Sequence, residues 1–478
     1  MTIDIQPKGQ LHDGYTTRSI HVGSEPDPIS GAVVPGLSVA TTFVQDGVDR
    51  VRGGHDYSRS SNPTRSILEE LITSLETTPA QRDHHHDQSG GESLVFASGS
   101  AATAALASWV SLATVEGGAG GSDGSNGGGG HILAINDVYG GTARYLSRAA
   151  RSTGLEVTYF DFEKAGEQEI RAAIRPDTRL IWLEVPTNPL LIVPPLPLIA
   201  EIVNSLPQET RPLIVVDTTF LSSFYFTPLV SQAPGLPPVG DIVLSSLSKY
   251  SGGHSDIILG SLTIAPHARA IRPHLVQGLR FVQNSHGGIP SPRDCHLMVR
   301  SLKTLSVRTL RHGLGALRVA HWLSQQPEVD VVRYPGLASS PAFHHIEQLL
   351  SPNARRELEF LGWSFPFKPR SATPSNTLEY VKTIGIPFGG VITFTLKDAS
   401  EEQTDKFVTN LRLIALAESL GGVESLIEVP YGMTHKAIPA DHRAAIGITP
   451  NLVRLSVGIE DVEDLIADLE RGLQRLNN

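Results

Sequence analysis

DIVLSSLSKYSGGHSDIILG, residues Asp241 to Gly260, is the stretch that decides the fold. Two apolar runs, IVL and IIL, flank a polar centre made of Ser245, Ser246, Ser248, Lys249, Tyr250, Ser251, Gly252, Gly253 and His254. The first run reads as a buried strand and the centre as the loop at its carboxyl end. In an open α/β sheet that edge is where ligands bind. A lysine placed there among hydroxyls and glycines is suited to chemistry, because a deprotonated amine is a nucleophile toward carbonyls. Taken alone, Lys249 would be an ordinary solvated lysine; its meaning comes from the rest of the chain.

Moving outward, four further runs resemble DIVLSS (241–246): HILAIND (131–137), LEVTYFD (155–161), LIWLE (180–184) and LIVVD (213–217). Helical or mixed segments separate them. That alternation predicts βαβ units and a mainly parallel sheet. Nearly every run ends in a polar or acidic residue: Asp137, Asp161, Glu184, Asp217, Ser246. Several such ends on one sheet edge make a site. SLVF (93–96) adds a strand, and the small-residue stretch after Gly99 reads as a buried helix.

Residues 1–64 are rich in turn formers and read as an extended arm that reaches a partner subunit. RSILEELITSLE (65–76) has the spacing of an amphipathic helix. From about residue 300 the pattern changes to α+β. SLKTLSVRTLRHGLGALRVAHWLSQQ (301–326) predicts one long helix, GGVITFTL (389–396) a strand, TDKFVTNLRLIALAESL (404–420) a helix and LVRLSVGI (452–459) a strand. DVEDLIADLERGLQRL (461–476) predicts a closing helix with Leu465, Ile466, Leu469 and Leu473 on one face. The division is therefore an arm (1–64), a large α/β unit (65–300) and a C-terminal α+β unit (301–478). Three segments read as insertions: 77–90, 114–130 and 351–386. His84, His85 and His86 lie in the first; adjacent residues on a loop make a poor preorganised metal site, so none is expected. The Gly/Ser-rich run before His131 lacks the lysine and helix opening of a phosphate loop and reads as a linker.

The net charge of −10 over 478 residues argues against nucleic-acid binding. No apolar run reaches the roughly 20 residues of a membrane span. The N-terminus shows no apolar signal region, and the single cysteine, Cys295, excludes an intrachain disulfide. A soluble cytoplasmic protein is expected.

Five local stretches share one explanation. YSRSSNPT (57–64) supplies Tyr57 and Arg59. SGSAA (98–102) sets Gly99 and Ser100 at a strand-to-helix junction, where N–H groups favour an anion. NDVYGGT (136–142) offers Tyr139, EVPTNP (184–189) offers Asn188, and VVDTTF (215–220) offers Asp217 and Thr219. Together with SLSK, and with AESLGGVESL, MTH and RLSVGIED further on, they resemble in order and spacing the cystathionine γ-lyase branch of the Cys/Met-metabolism family. These are pyridoxal phosphate (PLP) enzymes of fold type I. The resemblance runs from about Thr17 to the chain end, with SLSK where relatives often have SATK and DTT where they often have DNT.

The resemblance implies a role for each matched residue. Lys249 would hold PLP covalently through its amine. Asp217, seconded by Thr219, would face the ring nitrogen and keep it protonated, the pattern of a ring that acts as an electron sink. Tyr139 would stack on the ring and Asn188 would bond its hydroxyl. Gly99, Ser100, Ser246 and Ser248 would hold the phosphate. Tyr57 and Arg59 would reach the phosphate in a neighbouring subunit of a homotetramer built from two dimers. Arg454 with Ser419 would clamp the substrate carboxylate, since an arginine fork matches a carboxylate bidentately; read alone, Arg454 is a surface residue on an edge strand. Glu418 matches the γ-lyase pattern, and read alone is a helix-surface glutamate. Gly141 stands where methionine γ-lyases commonly carry cysteine. The implied reaction is cleavage of the Cγ–S bond of a small sulfur amino acid, cystathionine. Alternatives are a γ-synthase or sulfhydrylase, a β-lyase, and a non-catalytic homologue. An NAD-dependent oxidoreductase would need a GxGxxG that is absent.

Overall fold

A computed structural model of the chain describes residues 14–27, 29–78, 90–115, 130–231, 236–368, 374, 376–436 and 440–476. The histidine run 84–86 and most of the Gly/Ser-rich run before His131 lie outside them.

The arm opens with a helix, Tyr15–His21, so it is not wholly extended. Tyr15 is buried and its hydroxyl bonds Ser223 at 2.8 Å. A small hairpin follows, β1 (Gln45–Gly47) and β2 (Arg50–Val51). The amphipathic helix spans Pro63–Glu76, two residues longer at its start than its apolar spacing predicts. The reason is its cap: Asn62 accepts from the N–H groups of Thr64 and Arg65, and Pro63 takes the first helical position.

The large sheet comprises β3 (Glu92–Phe96), β4 (His131–Ile135), β5 (Glu156–Phe160), β6 (Thr178–Glu184), β7 (Leu213–Asp217), β8 (Ile242–Ser245) and β9 (Gly260–Ile264). Their spatial order is β3-β9-β8-β7-β6-β4-β5. Pairings from β8 through β5 are parallel, and β9 runs antiparallel between β8 and β3. Every residue of β4, β7, β8 and β9 is buried, as expected of strands covered on both faces. The strand after the lysine loop begins at Gly260, whereas the IIL run just before it is unpaired loop. Since β8 and β9 are antiparallel neighbours, the loop joining them, with Lys249, stands at the carboxyl edge of the parallel strands. Helix Gly99–Val115 starts at the same edge and is apolar on all sides, which suits its burial.

The smaller sheet contains β10 (Val329–Arg333), β11 (Val391–Leu396), β12 (Ala415–Leu416), β13 (Leu426–Glu428) and β14 (Leu452–Ser456), in the order β10-β11-β14-β13-β12. Three expectations need correction here. The long helix begins at Leu305, and a separate helix, Pro292–Leu302, precedes it. At the break the Arg308 guanidinium and the Thr304 N–H both donate to the Ser301 carbonyl, at 2.9 and 3.2 Å. The helix expected over 404–420 ends at Thr409. Beyond it, the N–H groups of Arg412, Leu413 and Ile414 all donate to the Asp468 carboxylate, which holds that stretch out of the helix. Finally, segment 351–386 carries helices Pro352–Phe360 and Thr377–Ile384, and buries Ala354, Leu358, Trp363 and Val381 in the core. Most of its described part is framework. The closing helix, Val462–Gln474, buries Leu465, Ile466, Leu469 and Leu473 as its pattern predicts.

Candidate active site

The site lies where the large sheet's carboxyl edge meets the smaller sheet. Lys249 comes from the β8–β9 loop, and its Nζ donates to Ser419 Oγ at 2.8 Å. Burial, aided by the Arg454 charge, pulls its pKa below the usual amine range, although Glu428 and Glu418 oppose that. A lysine tuned this way sheds its proton more readily. Ser419 has φ 102°, a left-handed conformation that costs a non-glycine residue about 1–3 kcal/mol. Its hydroxyl faces the lysine while its carbonyl accepts from Arg454 Nη2 at 2.8 Å. The hydroxyl and the carbonyl thus serve different partners, where the family pattern suggests the residue as a whole joins the clamp.

Arg454 sits on β14, the middle strand of the small sheet, and is 3% exposed. It is therefore neither an edge nor a surface residue. Nη1 donates to Asn188 Oδ1 at 2.9 Å, and Nη2 lies 3.0 Å from Glu428 Oε2, on its register neighbour in β13. Its Nε is buried with no hydrogen-bond partner. Such a group is costly to leave unmet and suits an incoming carboxylate. Because arginine only donates, the Asn188 amide oxygen must face it, which turns the Asn188 NH₂ away. Glu428 was not singled out in the sequence. Its signal was a second glutamate ten residues after Glu418 on a strand-like run.

Asp217 ends β7, with its carboxylate fixed by Thr219: N–H and Oγ–H both donate to Oδ1, at 2.9 and 2.6 Å. Burial still pushes its pKa up, to about 6. Thr219 Oγ1 in turn accepts from the Ser246 N–H at 2.9 Å, so one hydroxyl links the ends of β7 and β8. Ser246 also faces Gly99 at the helix start. A Cβ added to Gly99 would lie 3.1 Å from that of Ser246, so a side chain there would crowd the cradle between helix N-terminus and serine. Ser100 lies exposed on the first helical turn. The Ser248 hydroxyl donates to the Leu259 carbonyl and accepts from the Leu259 N–H.

Tyr139 precedes the short helix Gly140–Arg144, with its ring partly exposed. A Cβ at Gly141 would run into that ring, so this ring pose requires glycine there. Glu418 is exposed at a bend rather than on a helix, and its charge is felt by Tyr139, Lys249 and Arg454. Tyr57 and Arg59 are not brought into the cluster by this chain. Arg59 donates to Asn284 at 2.9 Å and its guanidinium lies 5.3 Å from the centre of the Tyr57 ring.

A half-buried amine of weakened basicity, a carboxylate set for a cation, a helix N-terminus with a serine and a flanking aromatic ring fit pyridoxal phosphate. Comparison with known proteins agrees. Cystathionine γ-lyase of Mus musculus is 37% identical over 461 residues, covering 96% of this chain and 95% of that protein. Cystathionine γ-lyase of Dictyostelium discoideum is 36% identical over 459 residues, covering 96% and 97%. Among solved structures, a cystathionine γ-lyase from Lactobacillus plantarum complexed with L-serine superposes with a TM-score of 0.75 at 33% identity, over 97% of this chain and all of that one. A cystathionine γ-synthase from Xanthomonas oryzae pv. oryzae in complex with cystathionine gives 0.76 at 30%, over 97% and 99%. Fold and site define a PLP-dependent enzyme of fold type I. The chain belongs to the Cys/Met metabolism PLP-dependent enzyme family, whose sequence profile matches residues 16–355 and 371–474. The interruption falls inside segment 351–386 and is narrower than it. Among the described residues no helix is long and apolar enough to cross a membrane, and no group of three His, Cys, Asp or Glu is placed to hold a metal.

Proposed function

We propose that the chain cleaves the Cγ–S bond of L-cystathionine, giving cysteine, 2-oxobutanoate and ammonia. The observation that carries this is the chain of contacts Lys249 Nζ–Ser419–Arg454, which puts a base and a carboxylate clamp on either side of one residue. Bound at Lys249, PLP supplies the electron sink. Asp217 would keep the ring nitrogen protonated, Asn188 would bond the ring hydroxyl, and Tyr139 would stack on the ring. Gly99, Ser100 and Ser246 hold the phosphate. Arg454 takes the α-carboxylate. Lys249 Nζ would take up the α-proton, give it up again and then take up a β-proton, because the leaving sulfur is one carbon further out. Its lowered proton affinity suits that work near neutral pH. Tyr139 delivers a proton to the departing sulfur. Glu418, at the rim, meets the distal end of the substrate.

Full-length identity of 35–37% to proteins named cystathionine γ-lyase supports the lyase reading. The synthase likeness at a TM-score of 0.76 favours γ-replacement as the second. One pair of assays separates them. Purified protein with cystathionine should release cysteine and 2-oxobutanoate. Release of homocysteine would mean β-cleavage. Inertness toward cystathionine, with cystathionine formed from cysteine and an acylated homoserine, would mean a synthase.

The proposed assembly is a cytoplasmic homotetramer of two dimers, with arm 1–64 supplying Tyr57 and Arg59 to a neighbouring subunit's phosphate and units 65–300 and 301–478 forming the body. Its support is the apolar surface the single chain leaves bare on the arm: Ile29, Val33, Val44 and Val48 are 95, 75, 74 and 93% exposed.

A further inference from the structure

Glu184 closes β6 directly beside Asp217, its register partner on β7. It is 4% exposed, and none of the roles above uses it. Its Oε2 accepts the Tyr139 N–H at 2.8 Å, and its own strand end leads directly into the loop of Asn188, whose N–H lowers the cost of charge on the same carboxyl from farther off. These two amides belong to different loops, one after β4 and one after β6. As the N-cap of the helix Gly140–Arg144, Tyr139 has an N–H with no acceptor inside that helix.

We propose that Glu184 is a positioning residue, whose carboxyl ties the loop of Tyr139 to the loop of Asn188 and so sets the distance between the two side chains that flank the cofactor ring. The tie reaches the substrate clamp as well, because the Asn188 side chain holds Arg454. Two carboxyls side by side in a buried place do not both ionise readily. Burial, Asp217 and Asp137 all push the Glu184 carboxyl well above its ordinary range, and Asp217, steadied by two bonds from Thr219, is the better carrier of the charge. Glu184 thus works as a neutral acid: it accepts backbone bonds without setting a second negative charge against Asp217. This inference rests on the cofactor placement proposed above and is independent of the choice between lyase and synthase.

The test uses Glu184→Gln, Glu184→Ala and Glu184→Asp, read first in the cofactor-free protein by amide hydrogen exchange in segments 136–141 and 185–190. Losing the acceptor should speed exchange in segment 136–141 by about 10-fold in Glu184→Ala, with a smaller acceleration in segment 185–190. Glu184→Gln, neutral and of the same shape, should stay within about 2-fold of the parent. In the cofactor-loaded proteins the pH midpoint of the cofactor's visible band should move in Glu184→Ala and hold in Glu184→Gln. Should Glu184→Ala fail to fold, Glu184→Asp answers the same question, since its carboxyl is withdrawn by one carbon and both segments should again exchange faster. Parent-like exchange in both segments of the truncated variant overturns the inference. So does a Glu184→Gln protein as perturbed as Glu184→Ala, which would mean that the charge matters rather than the tie.

Discussion

Strands β7 and β8 carry buried aspartates at opposite ends, and the two ends behave in opposite ways. At the amino end, Asp241 meets Arg211 at 2.7 Å and His267 at 3.0 Å, and accepts the Ile214 N–H. Burial alone would raise its pKa, but the bonds from His267 and Arg211 win and hold it below the usual carboxylate range. At the carboxyl end, Asp217 is equally enclosed, receives only Thr219, and is pushed up to about 6. A buried carboxylate that already has its cation is part of the framework. One that lacks a cation is set to receive one, and in the proposed reading the protonated ring nitrogen of the cofactor is that cation. The same residue type at the same depth therefore differs in function through its partners.

The sharpest way to break the comparison is at the functional end. Lys249→Ala should lose the visible cofactor band and at least about 10⁴-fold in kcat, over 5 kcal/mol of transition-state stabilisation. Its thermal unfolding without cofactor should stay close to the parent's. Asp217→Asn comes next, with a loss on the order of 10³-fold, about 4 kcal/mol, because the amide cannot keep the ring nitrogen charged. Its apoprotein should be no less stable than the parent, since a carboxylate held at a cost is being removed. If Asp217→Asn unfolds the apoprotein while Asp241→Asn does not, the two ends have been assigned the wrong way round.

At the framework end, Asp241→Asn strands the Arg211 charge, whose side chain is 6% exposed. The expected loss is about 3 kcal/mol of stability with kcat intact, read as a lowered Tm beside unchanged turnover. The pH dependence has a definite sign. The folded pKa of Asp241 is depressed, so its contribution is complete above the unfolded value and is lost as pH falls through the folded one. The acid limb of the parent's stability curve should flatten in Asp241→Asn.

The carboxyl end of this contrast was legible in the sequence, whereas the partners of Asp241 were not. Apolar runs ending in Asp137, Glu184, Asp217 and Ser246 announced a parallel sheet with a polar carboxyl edge, because strands buried on both faces leave a strong local signature. Lys249, Asp217, Asn188 and Arg454 do converge on that edge. Less legible was whatever depends on distant partners. Residues 411–419 carry helical spacing, yet Asp468 in the last helix captures their N–H groups. Strand β9, GSLTI, is too mixed in character to stand out beside the IIL run before it. Glu428 and Glu184 could be seen as acids near strand ends, but their work lies in cross-strand pairing with Arg454 and Asp217, which only register reveals.

Glu76 sharpens the comparison most finely, since it separates burial without a cation from function. It ends helix Pro63–Glu76, is 4% exposed, and its Oε2 has no hydrogen-bond partner. Burial pushes its pKa to about 8, higher than Asp217 reaches. Tyr15 feels its charge, yet among the described residues it shares no contact with Lys249 or the anion cradle, so a raised carboxyl alone does not mark a site. Its linkage sign is opposite to that of Asp241. The folded value lies above the unfolded one, so its contribution is whole in acid and is lost as pH climbs toward about 8. Between pH 6 and 7.5 this should cost the parent about 2 kcal/mol relative to Glu76→Gln, whose amide carries no proton to lose. The measurement is Tm of both proteins at the two pH values, with kcat as control. The gap between them should widen with pH while turnover stays equal. A gap that does not change with pH would mean that Glu76 is already ionised in the fold, held by a cation as Asp241 is, and would place it with the framework carboxylates.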